Sequence, residues 1–278
     1  MSETASEQVA RERALAALAE NPDDPALLRA AGRASFELGL DDAVPHLSRV
    51  TELEPDDAEA WHDLAVALIN EGRLEEASEA FRKALSLRPD DARALVNLGH
   101  TAYALGQLDD ALEHLRNAAK QEPDNLSALR ALVQIYRREG RLGEALEAAE
   151  EAARLDADGV VAGLDIAELA LDLNRHDEAI AAFNRLRAID DEPEHEIYLF
   201  HGMIEAELRR ERFRRALDLA VDATRVDRLG RTTDVLSYIV AQVFGEADRP
   251  VPAREEIDAA LAASRSTHRR LHEESLVL

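Results

Sequence analysis

Apolar positions along this chain recur with a helical rhythm, and the rhythm itself recurs. Within residues 58–91, Trp61, Leu64, Ala65 and Leu68 share one helical face, and Ala77, Phe81, Ala84 and Leu85 share another. Spacings of three and four residues predict two amphipathic helices here. Glu71-Gly72-Arg73 separates them, glycine relieving left-handed strain at a helix C-terminus. Arg88-Pro89-Asp90-Asp91 closes the second helix: the proline stops it, and the aspartates offer an N-cap and a favourable charge to the next helix.

The same pattern returns every 34 residues. Proline falls at Pro55, Pro89 and Pro123; an aliphatic at Leu64, Leu98, Leu132 and Ile166; alanine at Ala77, Ala111, Ala145 and Ala179. The turn column reads Gly72, Gly106, Gly140 and then Asn174, a residue that also tolerates the left-handed conformation. A helix-turn-helix unit of this length buries its apolar faces by stacking on its neighbours, so length counts repeats rather than globular domains. The expected units are 24–57, 58–91, 92–125, 126–159, 160–193, 197–230 and a degenerate 231–263. The first has its glycine displaced to Gly39, the fourth has Ala157 in place of proline, and Asp190 to Glu196 lengthens the connection before the sixth by about three residues. Ala10, Ala14, Ala17 and Pro22 mark 1–23 as an N-terminal capping helix, and 264–278 is a C-terminal cap or tail. Terminal units are expected to be atypical, because one face must meet solvent.

Composition narrows the chemistry. A net charge of −24 argues against nucleic acid, whose binding draws on clustered Lys and Arg. Lys83 and Lys120 are the only lysines, which fits a salt-adapted proteome and GC-rich coding equally. With no cysteine, thiol chemistry and disulfides are excluded. No basic stretch followed by an apolar run opens the chain, and no apolar run is long enough for a bilayer, so a soluble, cytoplasmic protein without membrane insertion is expected. No phosphate loop, nucleophile elbow or zinc motif is present, and no catalytic residue, metal or cofactor is expected. The pairs Asp56-Asp57, Asp90-Asp91, Asp109-Asp110 and Asp190-Asp191 read as caps and helix starts. His268 and His272 lack a third ligand and read as a solvated face.

The residues Trp61, Leu64, Ala65, Gly72, Ala77, Phe81, Ala84 and Pro89 resemble the signature of the tetratricopeptide repeat (TPR) family, and the following unit matches it through Leu95, Leu98, Gly99, Gly106, Leu108, Ala111, Leu115, Ala118 and Pro123. The resemblance implies an all-α, right-handed superhelical solenoid of antiparallel helix pairs, about seven repeats with caps. In that family the first helix of each pair lines an inner, ligand-facing surface. Carried onto this chain, the resemblance gives a peptide-binding groove of His62, Arg93, Asn97, His100, Tyr103, Arg130, Gln134 and Arg137, with Glu59 and Val66 beside them. Arg130 and Arg137 are expected to be exposed and to hold little of the fold. Leu164, Leu171, Val161, Val235, Ile239 and Val243 would give an apolar second half of the groove, and Trp61 and Tyr136 take core positions. The family's carboxylate clamp wants a basic residue and an asparagine where His62 and Val66 stand, so that specificity is not expected.

The function that follows is a non-enzymatic interaction scaffold that binds an extended or helical segment of a partner protein carrying acidic residues, since arginine forks match carboxylates. A self-assembling homo-oligomer and a non-catalytic subunit of a larger enzyme complex are the alternatives.

Overall fold

In the computed structural model the segments predicted as helices as far as residue 226 are helices, and most of the expected seventh unit, 231–263, lies outside the described residues. The structure describes residues 3–156, 159–189 and 193–226, and beyond them Thr232, Val235, Leu236, Tyr238, Ile239, Arg254, Ile257, Ala259 and Leu261. Val243, the 264–278 tail, His268 and His272 lie outside the described residues. Thirteen α-helices and no strands occur among the described residues. They are α1 Glu3–Leu18, α2 Pro25–Glu37, α3 Ala43–Leu53, α4 Ala58–Asn70, α5 Leu74–Leu87, α6 Ala92–Ala104, α7 Leu108–Gln121, α8 Leu126–Arg138, α9 Leu142–Leu155, α10 Val160–Asp172, α11 His176–Ile189, α12 Pro193–Arg209 and α13 Phe213–Val226.

The turns explain the period. At helix starts Asp24, Asp57 and Asp91 accept backbone N–H groups of the following turn, Asp57 from Glu59 at 2.9 Å and Asp91 from Ala94 at 3.2 Å. Each satisfies donors that a helix start leaves orphaned. At the end of α4, Gly72 has φ +73°, which lets Arg73 N–H reach the Leu68 carbonyl at 2.9 Å. Gly39, Gly106 and Gly140 share that conformation; Asn174 takes it at φ 59° as expected, and Glu211 takes it at φ 57°. Glu211 is three residues beyond the 34-residue step from Asn174. That slip matches the extra residues before the sixth unit, yet those at Pro193 to Glu196 form the first turn of α12 rather than a longer connection.

The chain divides into two compact units, Met1–Leu132 and Val133–Leu278. In unit 1 each helix from α1 to α7 packs on the next, and α2, α4 and α6 also touch in succession, so the first helices of the pairs share one surface. Ala14 and Leu18 of α1 bury against Leu28, Ala31 and Val50, which seats the N-terminal helix on the first pair. In unit 2, α9 to α13 pack likewise, and α10 touches α12. Val235, Tyr238, Ile239, Ile257 and Leu261 join the buried cluster of that unit.

Within each pair one crossing position is small and its opposite is large. A Cβ on Gly99 would stand 2.7 Å from Leu115 Cγ, and one on Gly32 would stand 2.6 Å from Leu47 Cγ. In register with these, Ala65 answers Phe81 and Ala167 answers Phe183. At the same positions by sequence register, the fourth and sixth pairs carry Val133 and Ile204 on the first helix, and Ala149 and Ala220 on the second. All are buried, as close packing at a fixed helix spacing requires.

Glu211 is the turn residue under strain, since a left-handed conformation costs an L side chain roughly 1–2 kcal/mol. Glu211→Gly is expected to stabilise the chain by up to about 1 kcal/mol once the entropy of glycine is deducted. An unchanged or lower urea midpoint would show that Glu211 makes a compensating contact.

Candidate functional site

The first-helix surface of unit 1 brings His62 and Arg93 together around the Glu59 carboxylate, with Asn97 beside His62. Glu59, in the first turn of α4, accepts hydrogen bonds from Arg33 at 3.1 Å, Arg88 at 3.3 Å and Arg93 at 3.1 Å. The helix N-terminus also favours its charge. Arg33 forks onto Asp63, with Nε to Oδ2 at 2.7 Å and Nη2 to Oδ1 at 2.9 Å. Burial alone would raise the Glu59 pKa, but the Arg93 hydrogen bond and charge, helped by His62 and Arg33, hold it below the ordinary glutamate value.

His62 sits between these ion pairs and the core. Its ring meets Phe81 edge-on, with centroids 5.5 Å apart, and Asn97 Nδ2 lies 3.2 Å from its Nε2. Burial, and then the charge of Arg93, pushes its pKa below the usual histidine value despite the neighbouring Glu59, Asp91 and Asp63. The ring is therefore neutral at pH 7, and its Nε2 accepts from Asn97. Beside it opens a cavity of about 370 Å³ whose apolar lining is Phe36, Leu47 and Val66, and whose polar lining includes Arg33, Glu37 and Arg93. On the same helix as Arg93, His100 is exposed and Tyr103 half-buried; Arg130, near the end of unit 1, is half-buried. Trp61 is half-buried at the edge of this core and donates its Nε1–H to the Pro55 carbonyl at 2.9 Å.

Arg33, Phe36 and Glu37 were not among the expected groove residues, because the inner surface was carried onto the second, third and fourth units and not onto the first, whose helix α2 starts 33 rather than 34 residues before α4. In the true register Arg33 corresponds to Val66, and the displaced Gly39 was the signal of that slip.

In unit 2, Gln134 is exposed, whereas Arg137 is built into the fold. Its guanidinium bonds Asp165 at 3.1 Å and Glu168 at 2.9 Å, and its side chain is 16% exposed against 4% for Glu168. Tyr198 donates its hydroxyl to the same Glu168 carboxylate, and Tyr198 is itself buried. On α12, Arg209 bridges Glu205 at 2.7 Å and the Leu171 carbonyl at 2.9 Å, while His201 meets Thr232 at 3.2 Å. The expectation that Arg137 holds little of the fold is corrected here: a buried carboxylate depends on it. Of the expected apolar groove of this half, Leu164, Leu171, Val235 and Ile239 are buried core, whereas Val161 is half-buried. Tyr136 is core as expected.

Among the described residues, no group of three potential ligands could hold a metal ion, and no helix is long and apolar enough to cross a membrane.

These helix pairs define a repeat protein, and comparison identifies the repeat. Residues 42–136 match the family described as the middle TPR-like domain of cilia and flagella-associated protein 70, and residues 136–197 match the tetratricopeptide repeat family. Together the two matches take in more than half of the chain, which belongs to the tetratricopeptide repeat family. Among solved structures it is similar to MamA, residue 41 to the end, from Desulfovibrio magneticus RS-1, with TM-score 0.54 and 23% identity over 60% of this chain and 97% of that one. PilF of Pseudomonas aeruginosa aligns at TM-score 0.53 and 20% identity, over 82% of this chain and 96% of that one. YrrB, described as a TPR protein with an unusual peptide-binding site, aligns at TM-score 0.52 and 20% identity, over 66% and 95%. These likenesses show the fold. None of the curated proteins compared matches the chain in sequence.

Two outcomes follow from the geometry. Arg137→Met leaves Glu168 buried without its guanidinium and is expected to cost about 3 kcal/mol or more, while adding Glu168→Leu should restore much of the loss; equal midpoints for the wild type and Arg137→Met in urea would refute this. For His62 the folded pKa is depressed, so its contribution to stability is present above the unfolded histidine pKa and is lost as pH falls through the folded one. Melting temperatures from pH 7 to 5 should therefore fall more steeply in the wild type than in His62→Gln; parallel curves would mean that the ring is protonated without penalty.

Proposed function

We propose that this chain is a non-enzymatic interaction scaffold, which holds an extended or helical peptide segment of a partner protein against the first helices of unit 1. The observation that carries the reading is the cavity between Phe36, Val66 and the Arg33–Glu59–Arg93 cluster. It offers apolar area within a rim of oriented hydrogen-bonding groups, the usual make-up of a recognition pocket. Unit 2 offers less on its corresponding helices, because Arg137, Glu168 and Leu171 are spent on internal packing. The tetratricopeptide repeat fold supports the reading at the level of protein binding, and the peptide-binding site attributed to YrrB in the same fold supports the peptide form of the ligand. Helix pairs account for most of the chain, and the sequence carries no catalytic motif, which favours a scaffold over an enzyme.

The expectation of an acidic partner rests on Arg93, Arg130 and Arg137 facing the inner surface. Arg33, Arg88, Arg93 and Arg137 are each paired with carboxylates of this chain, so the charge of the ligand needs an argument of its own.

Site-specific photo-crosslinking tests the surface. A benzophenone side chain replacing exposed His100 on α6 is expected to give discrete protein adducts in lysate of the source cells, and one replacing exposed Glu79 on α5 is expected to give none. Equal labelling at the two positions, or none at His100, would remove the first-helix surface as the binding face.

A further inference from the structure

We infer that the unit 1 cavity selects peptides that set an apolar side chain beside a lysine or arginine. The inference rests on reading that cavity as the peptide site, and it adds the chemistry of the ligand.

Apolar selection comes from the lining. Leu47 is buried at the back of the cavity, and Phe36 and Val66, each half-buried, leave part of their surface for a guest side chain. His62 contributes a neutral ring, so no cationic charge on it opposes a basic ligand.

The preference for a basic neighbour comes from the state of the charged groups around that lining. Both arginines there are committed: Arg33 to the two Asp63 oxygens, and Arg93 to Glu59. A peptide carboxylate would have to displace one of these internal carboxylates, which exchanges one ion pair for another and leaves a displaced acid beside the incoming one. Like charges brought together in this way oppose binding. Glu37 is different. It is exposed at the cavity, and its carboxylate makes no ion pair or hydrogen bond among the described residues. Glu37, Glu59 and Asp63 against Arg33 and Arg93 leave the lining one negative charge in excess. The protein as a whole carries −24, which draws a cationic segment in over a longer range and is weakened by salt.

Random-peptide display on the purified full chain, with sequencing of the enriched pool, reads this preference. The expected pool places Leu, Ile or Phe within a residue or two of Lys or Arg. A resynthesised pool member should bind at least about fivefold more weakly to Glu37→Lys, the scale of one surface ion pair made and then reversed. It should bind at least about tenfold more weakly to Val66→Asp, which puts a charge in the apolar lining. Melting curves check that both variants fold, and Val66→Gln stands in if Val66→Asp does not. An acidic pool that still depends on Val66 would overturn the charge preference and leave the site standing. So would a basic pool indifferent to Glu37→Lys. A pool indifferent to every Val66 substitution, or a selection that enriches nothing, would remove the site and the inference with it.

Discussion

The spacing between the two helices of a pair is the constraint on which everything else in this protein depends, and opposed volumes at one crossing position set it. Gly32 against Leu47, and Gly99 against Leu115, bring backbones to a distance at which a single added methyl would collide. In the same sequence register the fourth and sixth pairs carry the larger residue on the first helix, Val133 and Ile204, and the smaller, Ala149 and Ala220, on the second. With the spacing fixed, the first helices of successive pairs touch in unit 1, and side chains one repeat apart come within bonding distance. Arg93 reaches Glu59, and Asn97 reaches His62, only because α4 and α6 are held that close.

The two units use the same geometry to different ends. In unit 1 the ion pairs of the first helices are half exposed: Arg33 and Arg93 keep 49% and 60% of their side-chain surface. Pairs of this kind are weak and can rearrange around a ligand. In unit 2 the corresponding helices bury their charges, and Glu168 is enclosed by Arg137 and Tyr198. Such a network is costly to break and offers little to a partner. The acidic composition has a related logic, since carboxylate in excess of what the arginines neutralise leaves groups such as Glu37 unspent.

Local features were legible in the sequence because they are local. The left-handed turns at Gly72, Gly106 and Asn174, the aspartate caps and the alternation of helices follow from residues within a few positions of one another. The site was legible in part. His62, Arg93 and Asn97 were placed on the inner surface by the resemblance to the tetratricopeptide repeat family, whereas Arg33 and Glu37 belong to the first unit, onto which no groove position was carried. The state of the arginines could not be read at all. Arg137 answers to Asp165 and Glu168, some thirty residues further on, and whether such a side chain faces solvent or a buried acid depends on packing that no spacing rule encodes. The left-handed Glu211 is a similar case: its turn was expected from the period, its strain was not.

The exchange of large and small volumes between pairs also bears on how such a chain can be rebuilt by genetic recombination. A crossover inside a unit, joining the first helix of the third pair to the second helix of the fourth, would set Gly99 opposite Ala149 and leave a hole. The reciprocal product would force Val133 against Leu115. A crossover at the turns between units, near Pro55, Pro89 or Pro123, keeps every small residue with its large partner. The unit of inheritance in this array is thus the intact helix pair, and the prolines mark its seams.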